Sequence, residues 1–447
     1  MRRSVVTGED DGMEQRESPE GHRELRRMID GIGREGLRRI IEHVTDALRA
    51  NPGDIDALAA RALAYAELGD HRRAVEDYDA VIRLEPGDAV AHDNRGACKA
   101  ELGDLAGAVG DFDIAILLAP DDPEPHYDRG LTYAELGDSL QAIDDLSKAL
   151  ELDPDFVEAH YSRGLAYRDL GELDKALDDF DAAIRIEPNY GIAHYARGIT
   201  NLNREAYDSA LDDFDAVIGL DPDNAPALRG RGVALGGMGR GEEAIKDLGR
   251  SLDIDPDSSE ALMARGIAHA SLERYDLAIA DYTRVLDLEP ANTRTLFNRG
   301  TARMRLARYE GAVDDFSAII EIDPDNAGAH MARGFANTLL GEHGRAIRDY
   351  DRFIELDPDD PDAYYARGCA HAELGNPRLA IEDFGRAIAL DPDNVESLRN
   401  RAILYQDLGE PEKAVRDYDE VIRLDPDDLS ARQDRQAVVE EAGADGR

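Results

Sequence analysis

Residues 161–188, YSRGLAYRDLGELDKALDDFDAAIRIEP, read as two apolar-faced helical segments on either side of a glycine. Near-copies of this stretch fill most of the chain. Its closing proline recurs as Pro52, Pro86, Pro120, Pro154, Pro188, Pro222, Pro256, Pro290, Pro324, Pro358, Pro392 and Pro426, always 34 residues apart. A fixed period in this range marks a solenoid, in which each unit packs on its neighbours only. Eleven full repeats start at Ile55, Ala89, Pro123, Val157, Gly191, Ala225, Ser259, Thr293, Ala327, Pro361 and Val395. Within a repeat, positions 1–14 predict a helix A and positions 16–30 a helix B. Glycine near position 15 (Gly69, Gly103, Gly137, Gly171, Gly239, Gly341, Gly375, Gly409) supplies a left-handed helix end. The proline at 32 cannot continue helix B, and the Asp or Asn residues beside it can cap the next helix A.

The ends depart from the pattern. Residues 1–20 are polar and acidic without apolar period and are expected to be a disordered tail. Residues 21–54 form a degenerate capping repeat: Leu37, Ile40, Ile41, Val44 and Leu48 keep helical spacing and end in register at Pro52. The full repeats occupy 55–428. Residues 429–447 begin one more helix A, with Gln436 where a glycine is expected, and read as a C-terminal capping helix and tail.

Composition narrows the function classes. The hydrophobic share is 42% with no Trp, so the core is built mostly of Ala, Leu, Ile and Val. The formal net charge of −44 repels phosphate backbones and anionic lipid, which argues against nucleic acid and membrane surfaces and permits a basic protein partner. Solubility or adaptation to salt explains the same charge. Cys98 and Cys369 lie eight repeats apart, and no CxxC or long apolar run occurs, which points to a soluble protein of a reducing, cytoplasmic compartment.

Several positions recur in register. The fourth repeat shows Gly164, Tyr167, Ala176, Phe180, Ala183 and Pro188 at positions 8, 11, 20, 24, 27 and 32; position 20 is Ala in all eleven repeats. On these residues the chain resembles the tetratricopeptide repeat family. The resemblance implies an all-α solenoid of antiparallel helix hairpins in a right-handed superhelix. It also implies a protein-binding concave face lined by positions 2, 5, 6, 9, 12 and 13 of helix A. Tyr127, Tyr161 and Tyr195 at position 5, Arg168 at position 12, and Glu101, Glu135 and Asp169 at position 13 fall on that face. They suit an extended basic peptide; packing between neighbouring A helices accounts for the same row. The family's carboxylate clamp is absent, since position 9 is never Asn.

Two further stripes come from the residues themselves. Position 7 is Arg and position 23 is Asp in every full repeat, and the two are equidistant from the turn. An Arg–Asp ladder is expected, including Arg163 with Asp179 and Arg197 with Asp213. His92, His126, His160, His194 and His330 at position 4 sit on separate helices about 10 Å apart, too far to share one metal; they read as packing residues. No G-x-S-x-G, Walker, HExxH or dinucleotide motif occurs. The expected protein is a non-enzymatic, cofactor-free interaction scaffold that takes a protein or peptide on its concave face. The alternative is an accessory subunit of an assembly that uses its convex face or its ends.

Overall fold

The computed structural model describes residues 32–445, with side chains through 441. The tail expected at 1–20 and the first part of the unit at 21–54 lie outside the described residues. Among the described residues there are 24 α-helices and no strand. The chain divides into two compact units, the first ending at Pro222 and the second beginning at Asp223.

The first unit opens with α1 (Arg34–Ala50). Five hairpins follow: α2 (Ile55–Glu67) with α3 (His71–Leu84), α4 (Ala89–Glu101) with α5 (Leu105–Leu118), α6 (Pro123–Glu135) with α7 (Ser139–Leu152), α8 (Val157–Asp169) with α9 (Leu173–Ile186), and α10 (Gly191–Asn203) with α11 (Tyr207–Leu220). The second unit holds six: α12 (Ala225–Gly237) with α13 (Gly241–Ile254), α14 (Ser259–Ser271) with α15 (Tyr275–Leu288), α16 (Thr293–Arg305) with α17 (Tyr309–Ile322), α18 (Ala327–Leu339) with α19 (His343–Leu356), α20 (Pro361–Glu373) with α21 (Pro377–Leu390), and α22 (Val395–Asp407) with α23 (Pro411–Leu424). It closes with α24 (Leu429–Asp445).

The helices run over positions 1–13 and 17–30, so helix B starts one residue later than the pattern predicts. Position 16 is its N-cap: in the first hairpin the Asp70 carboxylate accepts from the Arg73 amide, while the Asp70 amide donates to the Tyr65 carbonyl. Eight glycines at position 15 have φ between 71° and 79°. Glu205, Glu273 and Ala307 adopt the same left-handed conformation without being glycine, which costs about 1 kcal/mol each.

Inside each hairpin a small residue faces a large one. A Cβ on Gly164 would stand 2.6 Å from Cε1 of Phe180, so the ring at position 24, as placed in this hairpin, leaves no room for a side chain at position 8. Ala176 and Ala183 beside that ring are fully buried. At the two ends the terminal helices cover the outermost hairpins. Leu37 of α1 is buried with Leu63 and Ala64. Ala431 and Val438 of α24 are buried with Tyr418 and Val421.

Candidate functional site

The arginine of position 7 and the aspartate of position 23 meet in all eleven full repeats, with closest nitrogen–oxygen distances of 2.5–2.8 Å. Arg163 is representative. Its Nε donates to Asp179 Oδ2 at 2.8 Å and its Nη2 to Oδ1 at 2.7 Å, a two-pronged fork between α8 and α9. Arg197 holds Asp213 in the same way, and Asp213 is nearly inaccessible.

The third prong of the fork reaches back to position 25 of the preceding helix B, which sequence spacing alone had not singled out. Arg95 Nη1 donates to Asp79, Arg129 to Asp113, Arg163 to Ser147, Arg197 to Asp181, Arg333 to Ser317 and Arg367 to Asp351. The same bond runs into the terminal helices, through Thr45 on α1 and Arg435 on α24.

The position-4 histidines join this network instead of acting as mere spacers. His160 and His194 each place Nδ1 on the ladder carboxylate, at 3.1 and 3.3 Å, and Nε2 on the carbonyl of the preceding loop proline. Burial pushes the His126 imidazole below its ordinary range, with Asp145 opposing that shift. Among the described residues no group of three or more His, Cys, Asp or Glu could hold a metal ion.

The helix-A side of the first unit carries the candidate contact surface. Tyr127, Tyr161 and Tyr195 are all half-buried there. Tyr195 packs on Phe214 at 5.9 Å and Tyr161 on Phe180 at 6.1 Å. Tyr127 also meets Phe156 at 4.7 Å, and Tyr161 meets Tyr190 edge-on at 5.8 Å. Phe156 and Tyr190 occupy position 34, where every other full repeat has Asp, Asn or Ser to cap the next helix A. Without them α8 and α10 have no side-chain N-cap, a sacrifice of about 1 kcal/mol each. These two residues escaped the sequence reading, although the loss of the capping residue in two adjacent loops was a usable signal.

The acidic residues divide differently from expectation. Glu101, Glu135 and Asp169 are exposed, but position 13 lies eight residues, about 12 Å, along the helix from position 5. Asp169 has Arg168 at 4.0 Å, so it is partly neutralised. The carboxylates that bear on the aromatics are Asp128 at position 6 and Glu124 and Glu158 at position 2. Burial first, and then Asp128, Glu158 and Glu124, push the Tyr127 phenol upward. Burial first, with Glu158, pushes Tyr190 up to about 12.

The helix-A side of the second unit has other chemistry. Position 5 there holds Arg229, Met263, Phe297, Met331, Tyr365 and Arg399; Tyr365 packs on Phe384 at 5.9 Å, and Phe297 and Phe335 are exposed. Arg305 at position 13 is exposed and forms no ion pair among the described residues.

These features define an α-hairpin repeat protein with its polar ladder inside and its variable residues on the helix-A side. A tetratricopeptide-repeat model matches residues 41–89, 59–123, 127–191, 229–293 and 297–361, and two further models of the same description match 341–394 and 395–428. The chain belongs to the tetratricopeptide repeat family. No curated protein matches it. Among solved structures, the C-terminal part of a TPR repeat-containing protein from Cytophaga hutchinsonii is 16% identical with a TM-score of 0.50, covering 54% of this chain and 98% of its own. YrrB, a TPR protein with an unusual peptide-binding site, is 26% identical with a TM-score of 0.35, covering 42% and 97%. MamA is 25% identical with a TM-score of 0.36, covering 36% and 94%. No described helix is long and apolar enough to cross a membrane.

Proposed function

We propose that this chain is a non-enzymatic scaffold, and that the helix-A side of its first unit receives an extended basic segment of a protein partner. Tyr127, Phe156, Tyr161 and Tyr190 form the landing surface, extended by Tyr195. Glu124 and Glu158 beside them, with Glu101 and Glu135 further along the helices, select Lys or Arg. Arg168 limits the acidic rim at Asp169. α1 and α24 act as caps that keep the terminal hairpins soluble.

The observation that carries this reading is the pair of uncapped loops. Two neighbouring repeats give up a helix cap for an aromatic, and both aromatics join the tyrosine row. Packing alone explains Tyr161 and Tyr195 on the rings at position 24 of their own hairpins, Phe180 and Phe214. It does not explain why, among the A helices of the full repeats, side-chain capping is lost only at Phe156 and Tyr190, beside Tyr127 and Tyr161.

The test uses the full chain on a peptide array graded in charge and aliphatic content. Wild type is expected to retain basic peptides, and Tyr161→Ala/Tyr190→Ala to lose at least about tenfold in affinity, roughly 1.4 kcal/mol. Glu124→Gln/Glu158→Gln should reduce binding and flatten its salt dependence. Phe297→Ala in the second unit should leave it unchanged. Undiminished binding in the tyrosine variant, with its helical content intact, rules the surface out.

A further inference from the structure

Helix α5 departs from every other helix B in the array. Positions 18, 19, 22, 26 and 29 form the side of helix B away from helix A, and the other ten full repeats each carry at least two charged residues there. In α5 these positions are Ala106, Gly107, Gly110, Ile114 and Leu117, with Leu118 alongside. Leu117 is 80% exposed, Leu118 41% and Ile114 39%. Asp111 and Asp113 of the same helix are turned away, onto Arg95 and Arg129.

The glycine at 110 is not explained by this chain's own packing. A Cβ there would meet nothing within 4 Å, whereas glycine inside a helix costs about 1 kcal/mol relative to alanine. Other helical glycines, Gly219 and Gly344 among them, are open in the same way; what sets Gly110 apart is its place among the exposed apolar residues of α5.

The spacing says what fits. In two antiparallel copies of α5 centred on Phe112, Leu117 stands over Gly107, Ile114 over Gly110 and Leu118 over Ala106. Each large residue meets a small one, and each pairing occurs twice. That is the self-complementarity of an isologous two-fold contact. The same register continues on α7, where pairing centred on Leu146 sets Leu140 (67% exposed) against Leu152 and Asp144 against Lys148. On α3 it would set Arg73 against Arg83, so the two copies close on the α7 side and splay on the α3 side, within the tilt that packed helices adopt. Charge limits where two copies can meet: two chains of net −44 repel broadly, and α5 is the helix B whose outer side adds no charge to that repulsion.

We propose that two copies of this chain associate through α5, antiparallel about Phe112, as a reversible two-fold dimer. A contact built on one helix and its neighbour is small for a protein interface, so the dimer is reversible and strengthens as salt screens the net charge.

Sedimentation equilibrium of the full chain, from about 5 to 500 µM at low and high salt, decides it. Wild type is expected to pass from monomer to dimer. Leu117→Glu, a change at an exposed site that leaves the thermal melt in place, should weaken association at least about tenfold. Gly110→Leu separates a register from mere stickiness. It removes the seat for Ile114 and should weaken the dimer by a similar factor, although it adds apolar surface and helix propensity. Strengthened association in Gly110→Leu overturns the antiparallel pairing. A wild type that stays monomeric throughout, or a face occupied instead by a different protein that Leu117→Glu releases, overturns the dimer.

Discussion

Arg163 in the fourth repeat and Arg401 in the eleventh hold the same position and make the same fork, at 2.7 and 2.8 Å, to the aspartate of their own hairpin. They differ at the third nitrogen. Arg163 Nη1 donates to Ser147 on the preceding hairpin at 2.9 Å. Arg401 Nη1 faces Gly385, whose missing side chain offers no acceptor. In the seventh repeat, too, position 25 of the preceding helix B is a glycine, Gly249, and the Arg265 fork holds Asp281. The bond within a hairpin is therefore common to all repeats, while the bond between hairpins varies along the array. The first helps define the unit. The second adjusts how strongly one unit is tied to the next, which in a solenoid is a separate contribution to stability.

The sharpest break in that comparison comes from deleting the common partner. Asp179→Ala leaves the half-buried Arg163 without its carboxylate and should lower the local stability of α8 and α9 by about 3–5 kcal/mol. Ser147→Ala removes only the link to the neighbour and should cost about 1 kcal/mol. Hydrogen exchange of the α8 and α9 amides reads both. Equal effects would mean the fork within the hairpin has no special standing. The Arg163/Asp179 double-mutant cycle should return a coupling within about 0.5–3 kcal/mol, and a value of zero would remove the ladder as a stabilising device.

Acid should act on the same bond more gently, because a protonated carboxyl still occupies its site. Burial tends to raise the Asp179 carboxyl, but the hydrogen bonds from Arg163 and His160 prevail and hold it below the ordinary aspartate range; Asp111 is held down likewise by Arg95 and Lys99. A carboxyl lowered in the folded state contributes stability that is complete above its unfolded value and is lost as the pH falls through the folded one. His126, also lowered, adds a loss that starts earlier, as the unfolded imidazole takes up its proton below about pH 6.5. Thermal melts should thus be flat near neutrality, fall slightly toward pH 5 and fall steeply below about pH 4. A melt independent of pH down to about pH 3 contradicts this.

Most of the architecture was legible because a 34-residue period leaves little freedom: once the glycine and proline stops are placed, hairpin, core positions and ladder follow from helical geometry. Position 25 was harder to see. Its residue changes among Asp, Ser, Thr and Gly, and its partner lies in the next repeat, so a search within one unit passes over it. The candidate contact surface was half legible. The row at position 5 could be read, but Phe156 and Tyr190 stand in a loop normally assigned to capping. The carboxylates that act on Tyr127 proved to be Asp128, Glu158 and Glu124, because helical rise puts position 13 too far from position 5. The uncharged side of α5 was present in the sequence as a departure from the repeat, and its exposure became meaningful only once the fold showed which side of helix B lies open.

The smallest expected effect is a gain, and it tests the comparison from the other direction. If the link between hairpins is adjustable, restoring an acceptor opposite Arg401 should tie the tenth and eleventh repeats more firmly. A Cβ at Gly385 would stand 3.4 Å from Arg401 Nη1, so Gly385→Asp places a carboxylate within reach and needs only a small adjustment of the arginine. The corresponding pair of Arg367 and Asp351 shows the geometry at 2.6 Å, with the aspartate side chain 49% exposed. Because that site is open to water, the expected gain is about 1 kcal/mol and shrinks with added salt. Replacing a helical glycine contributes part of any gain by itself. Gly385→Ala isolates that part, since it restores the side chain without the acceptor. Slower hydrogen exchange across α21 and α22 in the aspartate variant than in the alanine variant assigns the difference to the bond between hairpins. If alanine protects as well as aspartate, Arg401 gains nothing from its neighbour, and the variation along the ladder reflects helix propensity alone.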